Sequence, residues 1–342
     1  KFRFETRQTV ADSPDIYIGQ TESLQERSSR HKQFAQAQIM LKLICCAILA
    51  LLHSLCYTLL GFFKLFVPYE WLAKDVDGEV VLITGGGSGI GRLLALKLAK
   101  LGCKIIIWDI NTKGNQETLE LLKNLGYTGY AYTVDISSYD EVKVAAAKVK
   151  KEVGIVTMLI NNAGIGTVGS FLTVDPKVAV KTMEINGLAH CYTIREFLPD
   201  MIEHKKGHLV TIASLAGCFG INNMSHYCSS KYAAVGLHEA LTAELWLEES
   251  TKHINTTLVC PYFIGTAMFP GVQSKVVSVQ DPHHVVNSIV RGVRLNSTMV
   301  VVPSYLKMFM LLKWIVPHES HQRWCDLMGV GAEMPTLLNK SN

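Results

Sequence analysis

The sequence is poor in charge, and its charges nearly cancel. Charged residues make up 18% of the 342 residues, and 33 basic against 29 acidic residues leave a formal net charge of +4. Hydrophobic residues make up 49%, which excludes a disordered chain, since such chains have few apolar residues and a high net charge. Nucleic-acid-binding proteins carry a concentrated basic stripe. The basic excess here is too slight for one, so we expect no nucleic-acid partner.

The cysteine pattern does not indicate a disulfide framework or a metal site. The nine cysteines are odd in number, and their one close pair, Cys45 and Cys46, lies in an apolar run. Such sites need C-x-x-C spacing or a cluster of Cys and His at ligand spacing, and the sequence has neither. We therefore expect no bound metal and a reducing compartment.

One long apolar run lies near the N-terminus. Residues 43–63 carry no formal charge, and as a helix they match the ~30 Å hydrocarbon core of a bilayer. Lys42 and Lys64 bracket the run, and Tyr69 and Trp71 follow it as interfacial anchors. A removed signal peptide would be shorter and end in a small-residue cleavage site. We predict a transmembrane or monotopic anchor.

Composition divides the chain into four segments. We predict a polar leader over 1–39, an apolar membrane anchor over 40–71, a main domain over 78–303 and an amphipathic tail over 304–342. The first methionine is Met40. Two hypotheses stay open, namely that translation starts at Met40 after leader sequence, or that the chain is a fragment without its true N-terminus. The apolar and basic tail predicts an interfacial or substrate-covering helix that is too short to span a membrane, with plain core packing as the alternative.

A strand, a glycine-rich turn and a helix follow one another at 79–101. The strand ends at Thr84, and the turn 85–91 contains five glycines among its seven residues (GGGSGIG). Glycines let the backbone approach a pyrophosphate, and the helix N-terminus supplies unpaired N–H groups and a positive dipole. This order of elements predicts a dinucleotide site.

A second predicted strand, 103–109, ends at Asp109. A carboxylate about 20 residues after the glycine turn binds the ribose hydroxyls of NAD and repels the 2′-phosphate of NADP. Asp109 therefore favours NAD(H), although Arg92 and Lys113 could soften the preference. A solvated acid at a strand end is the alternative.

Strands and helices alternate through the rest of the main domain. Helices are predicted at 114–125 and 139–153, and strands at 130–134 and 156–160. This rhythm predicts an α/β fold, a Rossmann-type doubly wound parallel sheet in a single domain behind the anchor. Ligands bind beyond the carboxyl ends of such strands, where Asp135 and Asn161 fall.

A serine, a tyrosine and a lysine have the spacing of a catalytic group. The predicted strand 207–213 ends at Ser214, and Tyr227 and Lys231 open the next helix four residues apart, on one face. Oxidising an alcohol needs a base, and tyrosine is a poor one at its ordinary pKa of about 10. A nearby Lys231 ammonium and the positive nicotinamide of the cofactor are expected to favour the phenolate and lower that pKa.

These motifs together resemble the short-chain dehydrogenase/reductase family. T-G-x-x-x-G-x-G matches residues 84–91, N-N-A-G matches 161–164, and Y-x-x-x-K matches Tyr227 and Lys231. The resemblance covers about 78–303 and identifies this segment as the catalytic domain. It implies the catalytic residues Asn186, Ser214, Tyr227 and Lys231. It also implies a cofactor site formed by Thr84, Gly85, Ser88, Gly89, Ile90, Gly91, Asp109, Ile110, Asp135, Ile136, Asn162, Ala163, Gly164, Tyr227, Lys231, Pro261, Ile264 and Thr266.

Family roles follow by the same resemblance. Ser214 orients the substrate oxygen, Lys231 holds the ribose, Asn186 positions a water for proton relay, and Thr266 contacts the nicotinamide carboxamide. Tyr262 stands where the family has glycine, which puts the local backbone in doubt. The stretch 267–280 corresponds to the family's substrate lid, and Met268, Phe269 and Val272 in it predict an apolar pocket or, equally, ordinary packing.

Longer runs resemble the membrane-anchored retinol and hydroxysteroid branch of the family. They include GEVVLITGGGSGIG, IIIWDIN and YCSSKYAAVG. The branch implies NAD-dependent oxidation of a lipophilic alcohol, foremost retinol to retinaldehyde. Alternatives are a hydroxysteroid dehydrogenase, an NADPH-dependent carbonyl reductase, and a non-catalytic binding protein of lipid droplets or membranes. The branch also implies contact with membrane lipid, a homodimer, and the endoplasmic reticulum or lipid droplets with a cytosolic active site.

Overall fold

The computed structural model describes residues 24–64, 66–272, 274, 276–317, 319–320 and 323. The chain forms two compact units, which meet in sequence between Leu72 and Ala73. The first unit contains the long helix α1 (Leu24–Lys64) and the short helix α2 (Tyr69–Leu72). Within the described residues, one stretch, Ser29–Phe63 of α1, is long and apolar enough to cross a membrane, by length and composition alone.

The second unit alternates strands and helices. Its elements are β1 (Val80–Thr84), α3 (Gly89–Ala99), β2 (Lys104–Asp109), α4 (Thr112–Asn124), β3 (Gly129–Thr133), α5 (Tyr139–Glu152), β4 (Met158–Asn161), α6 (Pro176–Met183), α7 (Ala189–Glu203), β5 (Gly207–Ile212), α8 (Ser225–Leu247), β6 (Ile254–Pro261), α9 (Pro282–Arg294), β7 (Met299–Val302) and α10 (Leu306–Ile315). A π-helical turn (Glu184–Leu188) joins α6 to α7, and a 3-10 turn (Leu215–Gly217) follows β5.

The seven strands form one parallel sheet in the order β3-β2-β1-β4-β5-β6-β7. Strand order reverses between β1 and β4, and a crevice for ligands opens beyond the carboxyl ends at such a point. The Rossmann-type doubly wound sheet is thereby confirmed.

Both faces of the sheet are covered, which explains why the central strands are apolar without interruption. Successive side chains of a strand point to opposite faces. Val81 and Ile83 pack in a cluster with residues of α3 and α9, whereas Leu82 packs in a second cluster with residues of α5 and α7. The sheet therefore holds its carboxyl edge rigidly.

The N-terminal helix extends into the segment that we predicted as a polar leader. We predicted an unpatterned polar leader up to residue 39, but α1 begins at Leu24. Once the apolar segment has formed a helix, the helix can extend into the polar residues before it, since each added residue needs no new nucleus. Residues 1–23 of that leader, and most of the tail after 317, lie outside the described residues.

Candidate active site

A cavity of about 360 Å³ opens at the carboxyl edge of the sheet. Of the four predicted catalytic residues, Ser214, Tyr227 and Lys231 line it. Asn186 does not. Thr84 and Gly91 of the predicted cofactor site do not line it either. The other predicted cofactor residues do, namely Gly85, Ser88, Gly89, Ile90, Asp109, Ile110, Asp135, Ile136, Asn162, Ala163, Gly164, Tyr227, Lys231, Pro261, Ile264 and Thr266.

Thr84 and Asn162 join the ends of β1 and β4. The buried Thr84 Oγ1 accepts hydrogen bonds from the backbone N–H groups of Asn162 and Ala163, each at 3.0 Å. In return, Asn162 Nδ2 donates to the Thr84 carbonyl at 2.9 Å and to the Gly85 carbonyl at 3.3 Å. Both residues therefore act on the glycine turn, and Thr84 does so without reaching the cavity.

The glycine turn packs too closely for side chains. Gly85 has a φ of +67°, in the left-handed region that favours glycine. A Cβ on Gly91 would lie 2.1 Å from the Gly85 carbonyl oxygen, a backbone atom that has nowhere to move. The turn leads directly into α3, whose N-terminal N–H groups lack helical partners. This arrangement forms a cradle for an anion.

Asp109 lies beside the cradle at the end of β2. Its Oδ2 accepts from the Gly87 N–H at 3.0 Å, and its Oδ1 accepts from the Asn111 N–H at 2.9 Å. Each carboxylate oxygen has a second lone pair, so each can still accept a hydrogen bond from a hydroxyl group. The carboxylate is thus fixed at the position predicted for ribose recognition.

Arg92 is held away from that carboxylate by other partners. Its guanidinium donates to the Glu117 carboxylate at 2.7 Å, to Thr118 Oγ1 at 3.0 Å and to the Gly87 carbonyl. We predicted that Arg92 and Lys113 could soften the preference for NAD. Glu117 counters the charge of Arg92, and no sequence signal indicates that pairing.

Asp135 follows β3 at the far end of the cavity and pairs with Lys181, which also lines it. Burial raises the pKa of Asp135, but hydrogen bonds from Ser137 and Lys181 outweigh burial and lower the pKa overall. The aspartate is therefore charged at neutral pH. Sequence reasoning missed Lys181 because it belongs to none of the matched motifs.

The glycine turn, Asp109 and Asp135 together fit a dinucleotide. The cradle offers backbone N–H groups to a pyrophosphate, Asp109 offers acceptors to ribose hydroxyls, and Asp135 offers an acceptor beyond them. Thr266 lies across from the turn, its Cγ2 4.0 Å from the position of a Cβ on Gly89. Gly89 and Thr266 therefore lie on neighbouring walls of the same cavity.

Ser214, Tyr227 and Lys231 converge at the other end of the cavity. Ser214 follows β5 with an extended backbone, and its Oγ accepts from the Ala216 N–H at 3.1 Å. Tyr227 and Lys231 share one face of α8, and Lys231 Nζ lies 5.9 Å from the Tyr227 ring centroid. Lys231 Nζ donates to the Ile212 carbonyl at 3.1 Å. The three side chains can surround one substrate oxygen and a ribose.

Burial controls the protonation of this group. Burial raises the pKa of Tyr227 above its usual value, and a hydrogen bond with Ser214 opposes it only in part. Burial also lowers the pKa of Lys231 to about 8, so the lysine is still mostly charged at neutral pH. Loss of hydration outweighs the polar contacts of Tyr227 in this structure. The lowering of its pKa that we predicted from Lys231 together with the positive nicotinamide stays a prediction.

Asn186 is fully buried in the π-helical turn. Its Oδ1 accepts from the Ile165 N–H, and its Nδ2 donates to the Ile165 carbonyl and to Ser230 Oγ, at 2.9 to 3.0 Å. The side chain thus fixes the segment after Gly164 against α8. Its predicted role in proton relay stays a prediction.

The region around Tyr262 has ordinary geometry despite the missing glycine. The Tyr262 N–H donates to the Val302 carbonyl at 2.8 Å, and its hydroxyl bonds Ser274 Oγ at 2.7 Å. The buried ring packs edge-on against Phe263. Tyr262 therefore braces the segment that contains Pro261 and Ile264.

Apolar side chains form the wall next to Tyr227. Phe269 packs edge-on against the Tyr227 ring at 5.3 Å, and Met268 also lines the cavity, whereas Val272 packs behind it. Residues 273 and 275 of the predicted lid lie outside the described residues. Sequence reasoning missed further lining residues, although their position between or beside the catalytic motifs was an available signal: Ile165, Leu215, Ile221, Met224 and Phe263.

We predict that Asn162→Ala loosens the glycine turn. Removing the amide leaves the Thr84 and Gly85 carbonyls short of a donor, at about 1–3 kcal/mol for a buried group. Amide hydrogen exchange across 85–91 should become faster, and the melting temperature should fall. The exposed Asn124→Ala variant is the control. If exchange across the turn were unchanged in Asn162→Ala, the hydrogen bonds of Asn162 would not be what holds the glycine turn in place.

Comparisons with known proteins agree with this geometry. Residues 79–276 match the family model of the short chain dehydrogenases. Epidermal retinol dehydrogenase 2 of Homo sapiens is 42% identical over 261 residues, 75% of this chain and 84% of that protein. Estradiol 17-beta-dehydrogenase 11 of Mus musculus is 43% identical over 260 residues, 76% of this chain and 86% of that protein.

Solved structures share the fold. A short chain dehydrogenase/reductase from Burkholderia phymatum, in complex with NAD, has a TM-score of 0.65 and 24% identity, and covers 71% of this chain and 95% of its own. A metagenomic short-chain oxidoreductase in complex with NADP has a TM-score of 0.57 and 25% identity, covering 67% and 98%. The chain belongs to the short-chain dehydrogenase family and is an NAD(P)-dependent oxidoreductase that acts on CH–OH groups.

Proposed function

We propose that this chain oxidises a lipophilic alcohol, foremost retinol to retinaldehyde, with NAD as the cofactor. One observation carries the proposal, namely that a single cavity joins the hydroxyl-binding group to an apolar wall. Ser214 and Tyr227 supply the polar end, and Phe269 and Met224 supply the apolar one. A small polar substrate would leave that apolar wall exposed to water, whereas a lipophilic alcohol covers it.

Each member of the group has a distinct role in the proposal. The Ser214 hydroxyl donates to the substrate oxygen and orients it, and the Tyr227 oxygen takes the hydroxyl proton. Lys231 holds the ribose and supplies the positive charge that favours the phenolate. Asn186 keeps the segment after Gly164 in position through its bonds to Ile165. The nicotinamide, when bound, accepts the hydride.

The raised pKa of Tyr227 sets the pH dependence of the reaction. Oxidation needs the phenolate, which becomes more abundant as the pH rises, whereas reduction of a ketone or aldehyde needs the phenol as proton donor. Because burial keeps the phenol protonated at neutral pH, oxidation should accelerate as the pH rises, whereas reduction should stay nearly constant until the pH approaches the raised pKa of Tyr227.

The choice of NAD over NADP rests on charge around the ribose. Asp109 is fixed by two backbone N–H groups, and a 2′-phosphate there would meet its negative charge. Arg92, the cation nearest the turn in sequence, is paired with Glu117 and is not free to attract a phosphate. An NADPH-dependent carbonyl reductase is the alternative.

The relatives support two substrate classes. One is named as a retinol dehydrogenase and another as an estradiol 17-beta-dehydrogenase, at nearly equal identity. A hydroxysteroid is therefore the second candidate substrate, and it would use the same groups. A non-catalytic lipid-binding protein is the candidate of another class.

We also propose that the anchor 40–71 fixes the catalytic domain 78–303 to the endoplasmic reticulum or to lipid droplets. Ser29–Phe63 has the length and composition of a membrane span, and none of its most apolar window is buried. The tail helix α10 exposes Met308, Leu311 and Trp314 beside Lys307, a pattern typical of a helix at a lipid interface.

Tyr227→Phe should abolish turnover. Removing the proton acceptor is expected to lower kcat about 100-fold to 10,000-fold. The assay follows NADH formation by membranes that contain the chain, with retinol and a panel of hydroxysteroids, across the pH range. Tyr130→Phe, on β3, is the control. Turnover of steroids alone would replace the substrate, and equal turnover by Tyr227→Phe would remove the tyrosine from the mechanism.

Asp109→Ala should shift the cofactor preference toward NADP. Loss of charge-assisted hydrogen bonds to the ribose, worth about 1.5–3 kcal/mol, predicts at least a tenfold fall in the NAD-to-NADP ratio of kcat/KM. Asp140→Ala, at an exposed site in α5, should leave the ratio unchanged. An unchanged ratio in Asp109→Ala would mean that another residue discriminates between the cofactors.

The full chain should stay with membranes after an alkaline carbonate wash. Leu51→Arg with Leu55→Arg should release it, because each arginine at a helix centre costs about 2.5–3.5 kcal/mol on insertion scales. Gln33→Arg, in the polar first part of α1, is the control. Recovery of the unaltered chain in the wash would contradict the anchor.

A further inference from the structure

Two cysteine thiols that the proposed mechanism does not use face each other beside the catalytic group. Cys218 ends the 3-10 turn that begins after Ser214, and Cys260 is the penultimate residue of β6. Their sulfur atoms are 4.0 Å apart, and both are free thiols. They are 42 residues apart in sequence, so only the fold brings them together.

The two thiols differ in reactivity. Cys260 is fully buried, whereas Cys218 is partly exposed. The hydrogen bond to Cys260 lowers the pKa of Cys218, burial opposes this, and the Lys313 ammonium adds to the lowering while Glu239 opposes it. The same pairing raises the pKa of Cys260. Cys218 thus has the character of an attacking thiol and Cys260 that of a resolving thiol.

The contacts around Cys218 keep the pair aligned. Lys313 Nζ, on α10, donates to the Cys218 carbonyl at 2.8 Å and to the Tyr232 hydroxyl at 2.7 Å. The Cys218 N–H donates to the Leu215 carbonyl at 2.8 Å. The backbone of Cys218 is therefore fixed from two sides, with its sulfur directed at β6.

We propose that Cys218 and Cys260 form a reversible modification site, which closes to an intramolecular disulfide on reaction with a low-molecular-weight disulfide such as glutathione disulfide. The Cys218 thiolate attacks one glutathione sulfur, forms a mixed disulfide and releases one glutathione. The released glutathione thiolate takes the Cys260 proton, and the Cys260 sulfur attacks the Cys218 sulfur and releases the second glutathione. The protein loses two electrons and two protons, and one glutathione disulfide becomes two glutathione molecules.

Closing this bond acts on the catalytic group through the backbone. Ser214 precedes Cys218 in the same turn, and its Oγ donates to the carbonyl of Pro261, the residue after Cys260, at 3.5 Å. Drawing the two sulfurs together from 4.0 Å pulls these segments toward each other. A misplacement of about 1 Å can lower a rate about 100-fold. We expect oxidation to lower kcat at least tenfold, a step that rests on the proposed function.

The test treats the full chain, in membranes, with glutathione disulfide, alkylates the remaining thiols and maps the peptides by mass spectrometry. We expect a peptide pair linked through Cys218 and Cys260, lighter by two hydrogens and released by dithiothreitol. Cys218→Ser should abolish the link, and Cys260→Ala should leave a single glutathione on Cys218. Cys191→Ser, at an exposed cysteine on α7, should keep the link.

Two results would overturn the proposal. One is a glutathione adduct on Cys218 that never resolves, and the other is an absence of any modification at the pair. Turnover is measured on the same samples before and after dithiothreitol. A linked protein with undiminished turnover overturns the effect on catalysis. A reduced protein without turnover on any substrate refutes the proposed function instead, while the peptide map still decides the disulfide.

Discussion

The reciprocal hydrogen bonds between Thr84 and Asn162 are the constraint on which the rest of the site depends. They join the ends of β1 and β4 where the strand order reverses, so the crevice and the glycine turn have one fixed geometry. The turn in turn fixes Asp109 through the Gly87 N–H. The anion cradle and the acceptor for the ribose are thus joined by a chain of hydrogen bonds that runs from Asn162 to Asp109.

The catalytic end obeys a different constraint, which is burial. Tyr227 and Lys231 are both almost inaccessible to water, and loss of hydration moves both pKa values toward the neutral forms. The protein therefore holds a protonated phenol beside an ammonium group that is more acidic than that of an ordinary lysine. Perturbed pKa values of this kind cluster at functional sites, where protons are transferred.

Local patterns were enough to predict most of the nucleotide-binding half. The strand predicted at 103–109 is β2 (Lys104–Asp109), and the helix predicted at 139–153 is α5 (Tyr139–Glu152), because buried parallel strands and capped helices have strong periodic signals. The π-helical turn around Asn186 could not be predicted, since its extra residue depends on contacts with Ile165 and Ser230. The extension of α1 back to Leu24 was not predicted, because the polar residues before Met40 have no apolar period of their own.

The sequence by itself determined the fold class, the glycine turn and the spacing of Asp109, Tyr227 and Lys231, because these follow from local geometry and from the 3.6-residue period of a helix. Only the tertiary structure decided which distant residues meet, such as Arg92 with Glu117 and Cys218 with Cys260. It also decided the protonation of Tyr227. Both outcomes depend on sheet order and burial, and neither quantity is a property of any short stretch of sequence.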